Sequence, residues 1–174
     1  MISLKDVTVI IVTFQTPKKV IFECLKSINS RDVNILIIEN SQNFLHKDYI
    51  KTNFSNVTII CTGENLGYGK GNNFGIKNTK SDYALILNPD VICDKNFFLN
   101  IPSVIEQAGD FSVIGCQYLL DKSFMPAGFF DKKKNIEFNK NFKNDQIGDL
   151  AQVEWVTGCS MLLNLKKFYN KDVF

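Results

Sequence analysis

Three residues that follow an apolar run, Asn88-Pro89-Asp90, place two oxygen-bearing side chains two positions apart. Proline favours extended backbone in the residue before it, and alternate side chains of an extended chain face the same way. Asn88 and Asp90 would then offer oxygen ligands to one hard cation, such as Mg²⁺ or Mn²⁺, which keeps water or phosphate oxygens at its other positions. Asn-Pro-Asp is also a common turn sequence, and these residues alone leave both interpretations open.

A glycine-rich segment runs from Gly67 to Gly75 with the sequence GYGKGNNFG. It lacks the dinucleotide-binding spacing, because Asn72 stands where the third glycine belongs, and no Gly-Lys-Ser/Thr is present for a P-loop. Glycines let the backbone approach a ligand closely, and a helix beginning near Gly71 would direct N–H groups at an anion, with Lys70 adding a positive charge. A flexible turn with a glycine-rich helix start is the alternative.

Two single residues also have side chains suited to ligand contacts. Glu39 follows an otherwise apolar run, so its carboxylate is expected either to accept hydrogen bonds from a ribose or base edge or to lie at a solvated strand end. Trp155, the only tryptophan, is expected to be either a core residue or a platform on which a sugar or ring stacks. Their residue types do not choose between these roles.

The composition excludes several other kinds of site. The 20 basic and 18 acidic residues are interspersed, so no basic face indicates nucleic acid, and the run Lys132-Lys133-Lys134 is interpreted as a solvated loop. Arg31 is the only arginine and His46 the only histidine, which argues against an arginine phosphate clamp, imidazole metal clusters and Ser-His-Asp chemistry. Carboxylates remain the candidates for acid, base and metal-binding roles.

The cysteines and the apolar runs indicate where the protein works. The five cysteines are far apart in sequence and form no Cys-x-x-Cys pair, which is typical of reduced, mostly buried thiols in a cytosolic protein. The first residues lack the charged region and the long apolar region of a signal peptide. No apolar run approaches the roughly 20 residues needed to cross a bilayer. We expect a cytoplasmic protein without a transmembrane segment, able to act peripherally at the inner face of the membrane.

Hydrophobic patterning predicts an α/β fold with a mostly parallel sheet. Four apolar, largely β-branched runs have the pattern of strands covered on both faces: Val7–Phe14, Asn34–Ile38, Val57–Cys61 and Tyr83–Leu87. Helical spacing follows the first run from Pro17 to Asn29, and the glycine-rich segment follows the third. Alternating buried strands and helices predict right-handed βαβ units in a doubly wound sheet.

The second half of the sequence is less regular. Helix-like spacing covers residues 95–109, although Pro102 must begin, kink or divide the helix. Later strands are expected at Val113–Leu120 and Trp155–Leu163. Between them, residues 121–150 are polar and without sustained period, and we expect a long loop or hairpin that can cover a ligand.

Polar clusters end three of the predicted strands. They are Thr13-Phe14-Gln15, Glu39-Asn40-Ser41 and Asn88-Pro89-Asp90. In doubly wound sheets, ligands bind outside the carboxyl ends of the strands. One such cluster is ordinary turn chemistry, but three in successive units predict a shared site.

With these pieces in order, the sequence resembles the large family of inverting GT-A glycosyltransferases, especially the bacterial branch that includes rhamnosyltransferases. The resemblance covers nearly all 174 residues and depends on the segments VTVIIVTFQ, IIENS, ENLGYGKGNNFGI, YALILNPDV and EWVTGCSMLL. The third and fourth segments are the specific ones, because folding alone does not require them. The implied fold is a Rossmann-like GT-A domain with a mostly parallel central sheet flanked by helices.

The resemblance also implies roles for individual residues. Those implied to lie along the nucleoside or to shape its pocket are Thr13, Phe14, Gln15, Asn65, Gly67, Gly71 and Asn72. Glu39 would contact the base or ribose, and Asn88 and Asp90 would bind a divalent metal, Mg²⁺ or Mn²⁺, and the diphosphate. Trp155 and Gly158 would border the sugar and the acceptor.

Two substitutions depart from the family pattern. Glu39 replaces the more frequent aspartate, which lengthens the reach and keeps the chemistry. Asn88 replaces the first aspartate of Asp-x-Asp, so Asp90 would be the main anionic metal ligand.

The end of the chain is a third departure. In relatives, an acidic residue after the Trp-x-x-Gly segment serves as the base, and here Asp172 lies too close to Trp155 to take that role. We therefore expect a single domain over 1–174 that is truncated, with its general base beyond Phe174. Residues 1–94 would form the donor nucleotide-binding part and 95–174 the start of the acceptor part.

The expected activity is hexosyl or deoxyhexosyl transfer with inversion. The donor would be a UDP-, dTDP- or GDP-linked sugar and the acceptor a glycan or lipid-linked hydroxyl, in bacterial surface polysaccharide or lipopolysaccharide synthesis. A non-catalytic nucleotide-sugar-binding module is the alternative if the base is missing. Nicotinamide-dependent reduction is disfavoured by the glycine spacing.

Overall fold

The computed structural model describes residues 1–120, 123–125, 128–129, 150, 153 and 155–174. The strands, numbered along the chain, are β1 (Val7–Thr13), β2 (Asn34–Glu39), β3 (Val57–Cys61), β4 (Tyr83–Leu87), β5 (Val113–Gly115), β6 (Tyr118–Leu120), β7 (Ser123–Met125), β8 (Gly128–Phe129), β9 (Trp155–Val156) and β10 (Ser160–Asn164). The helices are α1 (Lys18–Ser27), α2 (Lys47–Asn53), α3 (Gly67–Lys77) and α4 (Phe97–Ala108). Short 3₁₀ helices cover Leu4–Asp6, Leu165–Lys167 and Tyr169–Lys171.

A six-stranded sheet in the order β3-β2-β1-β4-β10-β5 forms the centre of the fold. The pairs β1–β2, β2–β3 and β1–β4 are parallel, and β10 is antiparallel to β4 and to β5. The parallel α/β prediction is confirmed for the first four strands. Because β1 lies between β2 and β4, the strand order reverses there, and the carboxyl ends of β1 and β4 flank the crevice where such sheets bind ligands.

Both faces of the sheet are covered, as the continuous apolar runs predict. On one face, Val9 and Ile11 pack with Ile21 of α1 in a core that also includes α4 residues. On the other face, Ile10 packs with Ile76 of α3 in a second core. A Cβ atom at Gly75 would lie 2.6 Å from Ile10 Cγ2, so α3 approaches the sheet more closely than any larger residue there would permit.

The second half of the fold departs from the predicted elements. The expected strand Val113–Leu120 is divided into β5 and β6, and Trp155–Leu163 is divided into β9 and β10. The outer pieces pair outside the main sheet, β6 with β7 and β8 with β9. Pro102 lies inside α4 and does not divide it. Most of the loop or hairpin expected over 121–150 lies outside the described residues.

Smaller differences concern α2 and the strand ends. The helix α2 was not predicted, because Ile50 is its only buried residue and leaves no apolar period. The strand β1 ends at Thr13, one residue early, and β2 continues to Glu39. None of the helices within the described residues is long and apolar enough to cross a membrane.

Candidate functional site

A buried carboxylate joins the ends of β1 and β2. Glu39 is 0% exposed, and its Oε2 accepts a 2.6 Å hydrogen bond from Thr13 Oγ1. Its Oε1 accepts hydrogen bonds from the backbone N–H of Gln15 at 3.1 Å and from Ser41 Oγ at 2.7 Å. These donors compensate a carboxylate that would otherwise be costly to bury. We call Thr13, Gln15, Glu39 and Ser41 the carboxylate corner.

The carboxylate corner changes the role expected for Glu39. The interpretation of Glu39 as a solvated strand end is wrong, because the side chain is fully buried. Its oxygens accept three hydrogen bonds from protein donors, and the contact with a base or ribose that the resemblance implied stays a prediction. The hydrogen bond to Gln15 instead supports a left-handed residue, with φ of 51°, and the neighbouring Phe14 is 49% exposed. Phe14 and Gln15, which follow β1 directly, are exposed and can be reached by a ligand.

The helix α3 begins at Gly67, earlier than the expected start near Gly71. Gly67 has a φ of 75°, and its N–H donates a 3.0 Å hydrogen bond to Asn65 Oδ1. Gly71 lies inside the helix, where a Cβ atom would be 2.9 Å from Val12 Cγ1. Gly71 therefore permits close helix–sheet packing, and the free N–H groups of the first turn belong to residues nearer Gly67.

Several buried side-chain oxygens near the carboxyl edge of the sheet have no hydrogen-bond partner within the part of the chain that the structure describes. They are Asn40 Oδ1, Asn72 Oδ1, Asn88 Oδ1 and Ser160 Oγ. Asn40 follows β2, Asn88 follows β4, and Ser160 opens the antiparallel neighbour of β4 opposite Leu87. Native proteins rarely leave buried acceptors unpaired, so such a set marks a place where water, an ion or a ligand supplies the donor.

The segment after β4 forms a turn. The N–H of Val91 donates a 3.2 Å hydrogen bond to the carbonyl of Asn88, and the N–H of Asn88 donates to the carbonyl of Cys159 at 3.0 Å. Of the two interpretations of Asn88-Pro89-Asp90, the turn is therefore confirmed and the extended backbone is wrong, since proline is favourable at the second position of a turn. The turn still places Asn88 and the exposed Asp90 at the end of β4.

Asn88 and Asp90 can supply only part of the ligands that a divalent cation needs. Asn88 Oδ1 is buried and has no hydrogen-bond partner in the described ranges, and Asp90 is exposed. The described residues contain no group of three or more His, Cys, Asp or Glu side chains that could hold a metal. One amide oxygen and one carboxylate match Mg²⁺ or Mn²⁺ that takes its other ligands from water and substrate phosphates. They do not form an all-protein cage.

Tyr68, which the sequence did not single out, connects α3 to the segment before β10. Its hydroxyl donates a 2.5 Å hydrogen bond to the carbonyl of Gly158. Burial raises the pKa of Tyr68, so the phenol remains a donor at neutral pH. Trp155, in the same segment, is 55% exposed, and its interpretation as a core residue is wrong. The sequence signal that could have identified Tyr68 is the presence of a tyrosine between two glycines in the glycine-rich segment.

The last residues lie across the outer side of α3. Asn73 Nδ2 donates to Asp172 Oδ1 at 3.0 Å and to the Phe174 carbonyl at 2.6 Å. Asn73 Oδ1 accepts from the N–H groups of Val173 and Phe174 at 3.0 and 3.1 Å. Lys77 Nζ lies 3.0 Å from the same Asp172 oxygen. The Asp172 carboxylate is thus held by two side chains of α3.

Comparison with known proteins gives the family of this chain. Residues 8–169 match the model of glycosyl transferase family 2, so the chain belongs to that family. A search among curated proteins gives no match. The family covers the parallel strands, α3 and β10, which are the elements that bring the polar residues to one edge.

Two solved structures support the fold. The 1–349 fragment of TarS from S. aureus superposes with a TM-score of 0.60 at 17% identity, over 72% of this chain and 40% of that one. A mannosyltransferase from Pyrobaculum calidifontis, in complex with GDP-Man and Mn²⁺, gives a TM-score of 0.52 at 15% identity, over 64% and 35%. The sheet and helices therefore have the GT-A arrangement, and the chain spans about two fifths or less of these structures' own lengths.

Proposed function

We propose that this chain forms the donor half of an inverting glycosyltransferase site. The observation that carries the proposal is the buried Asn88 Oδ1, which has no hydrogen-bond partner among the described residues and lies where β4 ends, next to β1 and its carboxylate corner. A nucleoside diphosphate sugar supplies many hydroxyl and N–H donors. TarS also has a structure in complex with UDP-GlcNAc, and it shares the fold at a TM-score of 0.59.

Each part of this edge has a chemical task in the proposal. Phe14 and Gln15, exposed at the end of β1, contact the nucleoside, while Glu39 holds them in position. The N–H groups of the first turn of α3 face the diphosphate, since helix N-termini favour anions. Trp155, which is exposed, borders the sugar.

A divalent cation fits the end of β4. Asn88 and Asp90 would hold it, and it would supply positive charge to stabilise the departing diphosphate. The carboxylate of Asp90 is the anionic member of this pair. The resident oxygen ligands are few, so we expect metal binding to be strengthened by the nucleotide.

Transfer with inversion requires an acceptor hydroxyl to attack the anomeric carbon as a carboxylate removes its proton and the nucleoside diphosphate leaves. Among the described residues, Asp172 is already engaged by Asn73 and Lys77. We therefore assign no general base among the described residues. The acceptor would be a glycan or lipid-linked hydroxyl in surface polysaccharide synthesis.

Calorimetry tests the donor half directly. We expect the folded chain to bind at least one of UDP, dTDP and GDP more tightly with Mn²⁺ than without it. In Asp90→Asn, the gain from Mn²⁺ should disappear, because the only carboxylate of the pair is lost. Asp32→Asn is the matched control, since Asp32 is exposed and precedes β2 at the opposite edge of the sheet. No binding of any of the three nucleotides to the folded chain would refute the proposal.

A non-catalytic nucleotide-sugar-binding module is the second candidate, favoured by the engagement of Asp172 with α3. Donor hydrolysis and transfer assays separate the two. Hydrolysis or transfer of the sugar would reject the module, whereas nucleotide binding without turnover would favour it.

A further inference from the structure

Asn40 is a residue whose role the donor-site proposal leaves open. It follows β2 directly, it is 2% exposed, and its side chain points at α3 and not at solvent. Asn40 Nδ2 donates a 3.0 Å hydrogen bond to the carbonyl of Gly67, the first residue of α3. This hydrogen bond joins the end of β2 to the first carbonyl of α3, so it fixes these two elements relative to each other.

Gly67 is held from both sides. Asn40 Nδ2 binds its carbonyl, and Asn65 Oδ1 accepts a 3.0 Å hydrogen bond from its N–H. Gly67 has a φ of 75°, a conformation that side-chain-bearing residues rarely adopt and that few local interactions favour. The two asparagines therefore fix the residue at which the backbone enters α3.

The packing of α3 leaves Asn40 little freedom. A Cβ atom at Gly71 would lie 3.1 Å from Asn40 Nδ2 and 3.3 Å from Asn40 Oδ1. The amide of Asn40 thus occupies the space that the missing side chain of Gly71 leaves, one turn beyond the carbonyl that it binds. Packing and hydrogen bonding select the same rotamer.

We propose that Asn40 is a positioning residue of the donor site, which sets the direction of the N–H groups in the first turn of α3 without contacting the donor itself. This inference rests on the proposed function in one respect, namely that the donor is the ligand of those N–H groups. The clamp on Gly67 itself is a property of the fold. In metal sites, loss of a hydrogen bond that orients a ligating residue costs about 10–100-fold in metal affinity, and we use the lower end of that range as the scale here.

The test uses Asn40→Ala with Asn78→Ala as its control. Asn78 Nδ2 also donates to a carbonyl of α3, that of Phe74 at 2.8 Å, but at the opposite end of the helix. We expect about a tenfold loss of affinity for whichever of UDP, dTDP or GDP binds the wild type with Mn²⁺, and no change in Asn78→Ala. Amide exchange should accelerate in residues 66–70 of Asn40→Ala and stay near wild type elsewhere.

The two readouts separate the possible failures. Weaker binding with unchanged exchange in residues 66–70 would overturn the inference, because Asn40 would then contact the ligand directly. Unchanged binding with faster exchange would also overturn it. If the wild type binds no nucleotide, the donor-site proposal fails, and the exchange rates alone decide whether Asn40 orders the helix start. Should Asn40→Ala not fold, Asn65→Ala, which removes the other half of the clamp from an exposed residue, must accelerate exchange in the same residues.

Discussion

The parallel part of the molecule, from β1 to β4, and the last residues, from Trp155 to Phe174, hold their candidate site residues in different ways. In the parallel part, Glu39 and Asn40 are buried and bonded to neighbouring elements. In the last residues, β10 is buried in the sheet, but Trp155 before it is exposed, and the residues after it are held to α3 by the side chains of Asn73 and Lys77. The candidate residues of the parallel part are thus built into the core, whereas those of the later segment lie at the surface on either side of β10.

The largest effect should come from Gly75→Ala. The new Cβ would lie 2.6 Å from Ile10 Cγ2 and 3.2 Å from Ile38 Cγ1, so α3 must shift away from the sheet. We expect a loss of about 3 kcal/mol in the free energy of unfolding, measured by urea denaturation. Gly158→Ala is the control in the later segment, where the nearest atom, Tyr68 Oη, is 3.8 Å away. Equal losses in the two variants would remove the distinction between the regions.

A smaller loss is expected for Glu39→Gln, which keeps the shape of the carboxylate corner. The amide nitrogen cannot accept the hydrogen bonds that one of the carboxylate oxygens receives from Thr13, or from Gln15 and Ser41. Hydrogen bonds to charged groups contribute about 1.5–3 kcal/mol, so unfolding should occur at lower urea concentration. Glu23→Gln, at an exposed i,i+3 pair with Lys26, should change stability by less than about 0.5 kcal/mol.

Asn73→Ala should act locally. It removes every hydrogen bond from the Asn73 side chain to residues 172–174, so the amides of Val173 and Phe174 should exchange faster. We expect about 1 kcal/mol or less in the free energy of unfolding, because the parallel core keeps its contacts. Asn53→Ala, which loses one exposed hydrogen bond to Tyr49 O, controls for the loss of an asparagine. Destabilisation as large as that of Gly75→Ala would contradict a surface attachment.

At neutral pH the smallest effect is that of the buried thiols, because it develops only as the pH rises above 9. Burial raises the pKa of Cys24 from 9.0 to about 12 and that of Cys116 to about 11. The unfolded chain therefore loses thiol protons first as pH rises above 9, and stability should fall between pH 9 and the folded pKa values. Urea midpoints at pH 8 and 10 should differ less in Cys24→Ala than in the wild type. An unchanged difference would show that this thiol does not contribute.

Local patterning predicted the parallel strands well and the later strands poorly. The apolar runs of β1 and β4 are covered on both faces, so residue type alone indicates burial and direction. The strands β5 and β6 are three residues each and belong to different sheets, which no local period reveals. The early start of α3 at Gly67 was missed because glycine permits several backbone conformations.

The sequence by itself determined the α/β class, the polar strand ends and the family, because all three depend on residue types at fixed spacing. Tertiary structure alone decided what those residues do. It buried Glu39 among hydrogen-bond donors at the ends of β1 and β2, and it left Trp155 exposed. It also placed the Asn40 amide within hydrogen-bonding distance of the Gly67 carbonyl. Each of these outcomes depends on a partner distant in the chain, and such contacts are fixed only when the sheet and α3 have packed.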